Sequence, residues 1–290
     1  MQNISKGTTQ DNLSLDKLLT FDILTPPLPT QRKIAAILSA YDDLIANNSR
    51  RIALLETLVQ ALYREWFVRF RFPGHEAVPL VESPLGPIPA GWEVVTIKDV
   101  SSYINRGISP KYDDQSENLV INQKCIRSSR LSLDAARRHS TVVSEHKVVR
   151  FGDVLINSTG IGTLGRVAQV YQNLSNTTVD SHVSIVRPNG RVRPDYFGLF
   201  LQGLERHFDS LGVGSTGQTE LGRERIANTD FLLPSKDIQD RFGKIVAPLR
   251  QSITLLFAKN ANLRRTRDLL LPRLVAGEVD VAGMEIQVQG

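Results

Sequence analysis

PPLPTQRKI at residues 26–34 and PSKDIQDRF at residues 234–242 are two versions of one junction, in which a proline is followed by a helix-like pattern. When the chain is aligned with itself at an offset of 208 positions, Pro26 aligns with Pro234 and Gln31 with Gln239, without a gap. Roughly one position in five is identical around these junctions, about three times the chance rate for average composition. A period this long exceeds the ~20–50 residues of a solenoid unit. It predicts the duplication of a whole domain together with its linker.

Apolar residues at alternating steps of four and three follow each junction, and this spacing predicts a long helix with a heptad seam. About 33 residues of helix would span about 50 Å at 1.5 Å per residue. The residues predicted to pair the helices are Ile34, Leu38, Tyr41, Ile45, Asn48, Ile52, Leu55 and Leu62 in the first and Ile253, Leu256, Asn260, Leu263, Arg267 and Leu270 in the second.

Each seam contains one asparagine, and a single buried asparagine fixes the register of a helix pair. We therefore expect an antiparallel coiled coil in which Asn48 faces Asn260. In this register the Arg267 guanidinium falls opposite Tyr41, where it can stack on the ring. The alternative is two amphipathic helices that pack on separate cores.

The residues between the helices have a different pattern. Residues 73–92 are rich in proline and glycine and are typical of a linker. Short β-rich runs follow, then an amphipathic helix at residues 195–211 and a last strand before the second junction. The sequence therefore predicts an α+β fold, with one globular mixed α/β domain of about 140 residues flanked by the two long helices.

Composition gives few constraints on function. The net charge of +5 permits a polyanionic partner without requiring one. The only cysteine, Cys125, cannot form an internal disulfide and favours a reducing, cytoplasmic setting. We find no secretory signal, no apolar run long enough for a membrane span and no zinc-ligand pattern, so we expect no metal.

The globular domain lacks a recognisable catalytic motif. GIGTLG at residues 160–165 matches G-x-G-x-x-G, but strand-like alternation follows it where a dinucleotide site requires a helix. Asp180, Ser181 and His182 are adjacent in sequence, and alternating strand side chains point apart, so they do not predict a triad.

The loops of this domain are instead rich in cationic, amide and hydroxyl side chains, the types that bind phosphates and base edges. Each of them is also consistent with an ordinary solvated surface residue. The candidate DNA-binding residues are Arg106, Lys111, Tyr112, Gln123, Lys124, Arg127, Arg130, Arg138, Ser158, Thr159, Thr163, Arg166, Thr216 and Gln218.

Several stretches together resemble the specificity (S) subunit of a Type I restriction–modification enzyme. Residues 86–100 (GPIPAGWEVVTIKDV) are similar to the family's entry into a target recognition domain, and residues 151–168 (FGDVLINSTGIGTLGRVA) to its inner hairpin. GSTGQTEL followed by LLP is similar to its exit, and residues 263–281 (LRRTRDLLLPRLVAGEVDV) resemble the end of its C-terminal helix.

The resemblance implies a non-catalytic subunit in which each recognition domain reads half of a split DNA site. It also implies two conserved helices that set the half-site spacing and dock methylation (M) subunits, which carry the S-adenosylmethionine chemistry, so that this chain binds no cofactor itself. The expected partners are double-stranded DNA, M and restriction (R) subunits, and a second copy of the chain, with no membrane.

The implied organisation contains one complete recognition domain. It has a remnant tail of a first recognition domain at residues 1–28, a conserved helix at 29–72, the recognition domain at 73–234, a second helix at 235–281 and a tail at 282–290. A complete family member would have a full domain before residue 1, so the chain is expected to be a truncated or alternatively started subunit, or an excerpt. The alternatives are an assembly module or inactive remnant that binds M subunits without directing them, and an uncharacterised enzyme.

Overall fold

The computed structural model describes residues 19–21, 25–214 and 219–285. The chain divides into two compact units, one made of residues 52–255 and the other of residues 1–51 and 256–290.

The first long helix, α1 (Leu28–Tyr63), begins after the proline pair and passes into a π-helical turn at Arg64–Val68. From Ile45 onward the buried apolar residues of the helix and this turn recur every seven positions, at Ile45, Ile52, Val59 and Trp66, as the heptad pattern predicts. The chain leaves the helix at Phe70, whose positive φ of 57° breaks the helical path.

A β-rich domain follows in the larger unit. Its strands are β1 (Leu80–Val81), β2 (Ile88–Pro89), β3 (Glu93–Thr96), β4 (Ser101–Arg106), β5 (Leu119–Ile121), β6 (Ile126–Arg127), β7 (Arg130–Leu131), β8 (Arg137–Arg138), β9 (Val154–Asn157), β10 (Val167–Gln169), β11 (Thr177–Val179), β12 (Val183–Pro188) and β13 (Asp230–Leu233). Its helices are α2 (Pro194–Gly203), α3 (Glu205–Ser210) and α4 (Arg223–Ala227), and the second long helix is α5 (Lys236–Val275).

The central sheet has the order β10-β9-β12-β4 and is antiparallel throughout. A second sheet has the order β11-β5-β8, in which β11 and β5 are parallel, and β13 pairs with β3. Side chains alternate along β9, so Val154 and Ile156 enter one core cluster while Leu155 enters another. Both faces of the central sheet are therefore buried, which explains the continuous apolar runs of these strands.

Aromatic side chains join both long helices to this domain. In the π-helical turn, the ring of Phe67 lies 4.8 Å from Phe242 of α5, 4.4 Å from Tyr196 of α2 and 5.8 Å from Trp92, measured between ring centroids. Trp66 also contacts Phe242, at 5.6 Å. The ends of the two helices and the β-rich domain therefore share one core within the larger unit.

A buried ion pair holds the loop before β9 against β12. The Arg187 Nε and Nη2 groups donate to the two carboxylate oxygens of Asp153, each at 2.8 Å, and Asp153 is fully buried. The guanidinium also donates to the carbonyls of Val148 and His146. The pair is bidentate and fully hydrogen-bonded, the geometry in which burial of two charges is tolerated.

The two long helices are antiparallel where they meet in the smaller unit. Asn48 Nδ2 donates to Asn260 Oδ1 at 2.9 Å, and Asn260 Nδ2 donates to the Ile45 carbonyl and to Ser49 Oγ. This is the facing pair that the heptad seams predict. Asn260 is almost fully buried, so the hydrogen bonds replace water that it cannot reach.

The predicted stacking of Arg267 on Tyr41 is not what the structure shows. The Arg267 guanidinium is ion-paired with Asp42, the residue after Tyr41, and with Asp268 at 2.8 Å. Two carboxylates attract the guanidinium more strongly than the quadrupole of one ring, which explains the different partner.

The α+β class with two long flanking helices is confirmed, and the helices fit the predicted coiled coil. The predicted helix of residues 29–72 lies at Leu28–Tyr63 with the π-helical turn after it, and that of 235–281 lies at Lys236–Val275. Most of the predicted N-terminal remnant, residues 1–28, lies outside the described residues.

Replacement of one member of the asparagine pair should destabilise the helix pair, because the other amide then loses a partner. Asn260→Leu is expected to cost about 1–3 kcal/mol of unfolding free energy, and Asn48→Leu/Asn260→Leu should recover most of it because both amides are removed. Urea unfolding of the wild type, the two single variants Asn48→Leu and Asn260→Leu, and the double variant measures this. A double variant that loses the sum of the two single losses would contradict the pairing.

Removal of one charge from the buried ion pair should destabilise the larger unit. Arg187→Met leaves Asp153 buried without its counter-charge and is expected to cost about 3–5 kcal/mol. Arg150→Met is the matched control, because the Arg150–Glu145 pair is exposed, and it should cost less than about 1 kcal/mol. Denaturant unfolding of both variants distinguishes the two costs. Equal losses would refute the assigned role of the buried pair.

Candidate nucleic-acid interface

The glycine-rich turn between β9 and β10 is the centre of the polar loop cluster. Gly160, Gly162 and Gly165 have φ values of 99°, 68° and 75°, which side chains rarely adopt. The turn joins two antiparallel strands, as the sequence predicts, and β10 rather than a helix follows it. The backbone N–H of Leu164 closes the turn on the Gly160 carbonyl at 3.0 Å.

Gln123 fixes this turn from the neighbouring loop. Its Nε2 donates to the Thr159 carbonyl at 2.6 Å and to Thr159 Oγ1 at 2.5 Å. The Gln123 carbonyl in turn accepts from Asn157 Nδ2 at 3.3 Å. A Cβ on Gly160 would lie 2.9 Å from the Gln123 amide nitrogen, so this side chain would have to shift, and the positive φ of Gly160 favours glycine there.

Thr159 connects the turn to His182. Thr159 Oγ1 lies 2.8 Å from His182 Nδ1, and since the hydroxyl accepts from Gln123, its own proton is free to be donated to Nδ1. His182 is exposed, so the arrangement offers a bound molecule an imidazole ring that is oriented through its Nδ1 atom.

Asp180 holds the other side of His182. Its Oδ1 accepts from the His182 backbone N–H at 2.9 Å, and burial raises the pKa of this carboxyl above its ordinary value despite that hydrogen bond. Asp180 is therefore a buried support for the loop. The sequence analysis considered His182 only as a neighbour of Asp180 and did not predict it as a site residue. Its contact to Thr159 joins two different loops, which a local sequence pattern does not reveal.

Arg106 and Ser158 support the cluster from inside. Arg106 Nη1 lies 3.2 Å from the Glu220 carboxylate, and its Nη2 donates to the Leu221 carbonyl. Ser158 is fully buried and its hydroxyl lies 2.6 Å from Ser184 Oγ. Ser158 is therefore not available to DNA, contrary to the sequence-based assignment, because it follows a strand that is buried on both faces.

Thr163 and Arg166 complete the turn. Thr163 Oγ1 lies 3.3 Å from the Gly160 carbonyl, and Arg166 Nη2 donates to the Gly162 carbonyl at 2.7 Å. Thr216 and Gln218, also predicted from the sequence, lie outside the described residues.

A second cationic group lies on the loops that carry Lys111 and β8. The Arg137 guanidinium lies 3.4 Å above the centre of the Tyr112 ring, and Tyr112 forms a β-bridge with His139. Arg138 Nη1 donates to the Ser116 carbonyl at 2.5 Å, and the Lys111 backbone N–H donates to Thr141 Oγ1. Arg137 lies beside the predicted residues and is part of this surface.

Lys124 and Arg127 are exposed on the segment that carries Gln123. Arg130 lies in the same part of the chain but has a different role, because both its Nε and Nη2 groups donate to the Glu56 carboxylate of α1. The sequence-based assignment of Arg130 to DNA stays a prediction, since its side chain is 48% exposed beside this ion pair. The arginine attaches the β6–β7 hairpin to the first long helix within the larger unit.

The structure thus brings five of the predicted residues together with His182, namely Arg106, Gln123, Thr159, Thr163 and Arg166. Three other predicted residues, Lys111, Tyr112 and Arg138, form a separate group. Residues 106–141 contain seven basic and four acidic side chains. Oriented polar side chains beside exposed cations match the base edges and phosphates of a nucleic acid.

Reactive groups are sparse in the described residues. No three histidine, cysteine or carboxylate side chains lie together there in a way that could hold a metal ion. Burial raises the pKa of the Cys125 thiol, which makes it a poor nucleophile. Among the helices of the described residues, none has the length and apolar character to cross a membrane.

Comparison with known proteins places this arrangement in a family. Residues 1–57 and 89–265 match the model of the Type I restriction modification DNA specificity domain. The specificity subunit of the Type I restriction enzyme MjaIX of Methanocaldococcus jannaschii is 26% identical, over 97% of this chain and 66% of that subunit. The specificity subunit of the HindI enzyme of Haemophilus influenzae is 21% identical, over 95% and 72% of the two chains.

The fold is also that of a solved relative. The crystal structure of a Type I restriction–modification S subunit from M. genitalium aligns with a TM-score of 0.59 at 17% identity, over 93% of this chain and 67% of that one. The chain spans about two thirds of the length of the MjaIX subunit that it matches. Since the family model covers more than half of the chain, the protein belongs to the family of Type I restriction–modification specificity subunits, as its sequence motifs indicate.

Proposed function

We propose that this chain is a non-catalytic DNA specificity subunit, whose β-rich domain reads one half of a bipartite DNA site. The observation that carries the proposal is the loop cluster around the glycine turn, in which Gln123, Thr159 and His182 are locked into one hydrogen-bond network. Fixed donors are needed to discriminate between base edges, since a mobile side chain can adapt to several bases. Lys124 and Arg127, exposed on the adjoining segment, are suited to phosphates.

In this proposal, the paired helices bind the partner subunits and position them. They dock the methylation subunits and set the distance between half-sites, while S-adenosylmethionine binds to those partners. Exposed leucines support docking, because Leu44 of α1 and Leu269 of α5 are 52% and 61% exposed although they lie on helices that already share a buried seam. Restriction subunits and a second copy of the chain are further proposed partners, and the assembly acts in the cytoplasm.

A second candidate function is an assembly module that binds methylation subunits without directing them to a sequence. The same exposed leucines favour it, because a protein partner could bury them without any contact to DNA. The two functions differ in one consequence. Only a DNA reader gives sequence-specific methylation and a salt-dependent affinity for DNA.

Co-expression with the cognate methylation subunit should produce a methylated, split DNA motif. A genome-wide map of methylated adenines measures this, and a catalytically inactive methylation subunit provides the background. A symmetric motif would mean that two copies of this reader act together, and an asymmetric one that another chain supplies the second half. No new methylation by an assembled complex would contradict the proposed function and favour the assembly module.

Loss of a phosphate contact should reduce the salt dependence of DNA binding. For Lys124→Ala we expect weaker binding to all duplexes and a slope of log affinity against log salt that is smaller by about 0.9. Arg191→Ala is the matched control, because Arg191 pairs with Glu93 at 2.8 Å at the surface of the same domain. Titrations of labelled duplex at several salt concentrations measure both. Equal slopes for the wild type and Lys124→Ala would refute a phosphate contact at Lys124.

A further inference from the structure

Ile161 projects from the tip of the glycine turn. Its exposed fraction is 81%, whereas Leu164 of the same turn is 7% exposed and packs in the core. Single exposed aliphatic residues are common on protein surfaces, so exposure alone has no functional meaning here. The geometry and the chemical surroundings of this isoleucine are what distinguish it.

The backbone that presents Ile161 is held firmly. It lies between Gly160 and Gly162, which both have positive φ, and hydrogen bonds from Thr163 and Leu164 to the Gly160 carbonyl close the turn around it. A Cβ on Gly165 would lie 2.5 Å from the Asp209 nitrogen, so the base of the turn packs directly on the backbone of α3. The isoleucine side chain is therefore presented in a defined position.

Polar and cationic groups flank this aliphatic side chain. Arg166 donates to the carbonyl of Gly162, the residue after Ile161, at 2.7 Å, and Thr159, two residues before Ile161, contacts the His182 ring. Two carboxylates of this region have partners of their own. Glu220 pairs with Arg106, and Glu205 accepts the Val167 backbone N–H.

An aliphatic group beside cationic and neutral donors is complementary to one base edge in particular. In the major groove, thymine presents its C5-methyl group next to the O4 acceptor, and cytosine presents a donor with no methyl group. An exposed isoleucine can bury the methyl while a neighbouring donor binds O4. Phosphates alone would not require an aliphatic side chain at this position.

We propose that Ile161 is a specificity-determining residue that contacts the C5-methyl group of a thymine in the major groove. This inference rests on the proposed function, because it requires that the domain reads DNA. Burial of one methyl-sized group stabilises by about 0.8 kcal/mol, which corresponds to an affinity change of about fourfold at 1.4 kcal/mol per tenfold.

The test removes the thymine methyl group and most of the Ile161 side chain, first separately and then together. The full chain in complex with its methylation subunit is titrated with duplexes that contain the methylated motif, in which each thymine in turn is replaced by deoxyuridine. For the wild type, we expect one thymine at which the replacement weakens binding by about fourfold. For Ile161→Ala, the thymine duplex should bind about as weakly as the deoxyuridine duplex does, with no further loss on replacement.

Leu80→Ala is the matched control, because Leu80 is 57% exposed on the β1–β2 hairpin, whose strands pair only with each other in the described residues. It should keep the full sensitivity to deoxyuridine. The inference is overturned if no thymine is sensitive, or if Ile161→Ala retains the sensitivity. In both of these cases, the wild-type complex would still bind DNA specifically and produce the methylated motif. If the proposed function itself were wrong, the wild-type complex would show neither.

Discussion

The packing of Phe67 is the constraint on which the larger unit depends. This one ring contacts Trp92 at the start of the β-rich domain, Tyr196 of α2 and Phe242 of α5. It lies in a π-helical turn, where the extra residue per turn directs Trp66 and Phe67 into the same core. Both long helices are therefore attached to the domain by side chains that cannot move independently of one another.

The π-helical turn has a cost, since its hydrogen bonds are less favourable than those of an α-helix. The buried aromatic area offsets it, because rings of this size bury about 150–250 Å² each. Tyr196 is fully buried and its hydroxyl donates to the Leu232 carbonyl of β13 at 2.6 Å. The phenol is thus satisfied inside an apolar cluster, and its burial raises the pKa well above the ordinary value.

The polar loops are held by hydrogen bonds, whereas this core is held by aromatic packing. Their side chains are fixed to each other by hydrogen bonds, as in the network of Gln123, Thr159 and His182, while His182 remains exposed. Ordering of side chains before binding reduces the entropy that a complex must lose, which favours affinity and discrimination together. The backbone of Ile161 is also ordered before binding, but by the positive φ angles of Gly160 and Gly162 instead of by a network of side chains.

The sequence by itself determined the repeated junction, the heptad seams with Asn48 and Asn260, the α+β class and the family, because these depend on periodicity and on short contiguous motifs. It also indicated that residues 160–165 form a turn between strands, since alternation resumes after them. For the candidate site it predicted polar and cationic loop residues, several of which the structure brings together, but not their contacts.

The tertiary structure alone decided which of those residues are accessible and which are already bound. Ser158 is buried beside Ser184, Arg130 is paired with Glu56 of α1, and Arg267 binds Asp42 instead of Tyr41. The same holds for His182, which joins the site through Thr159. The physical reason is that these contacts join residues far apart in sequence, and their energies depend on distances between loops that no local pattern encodes.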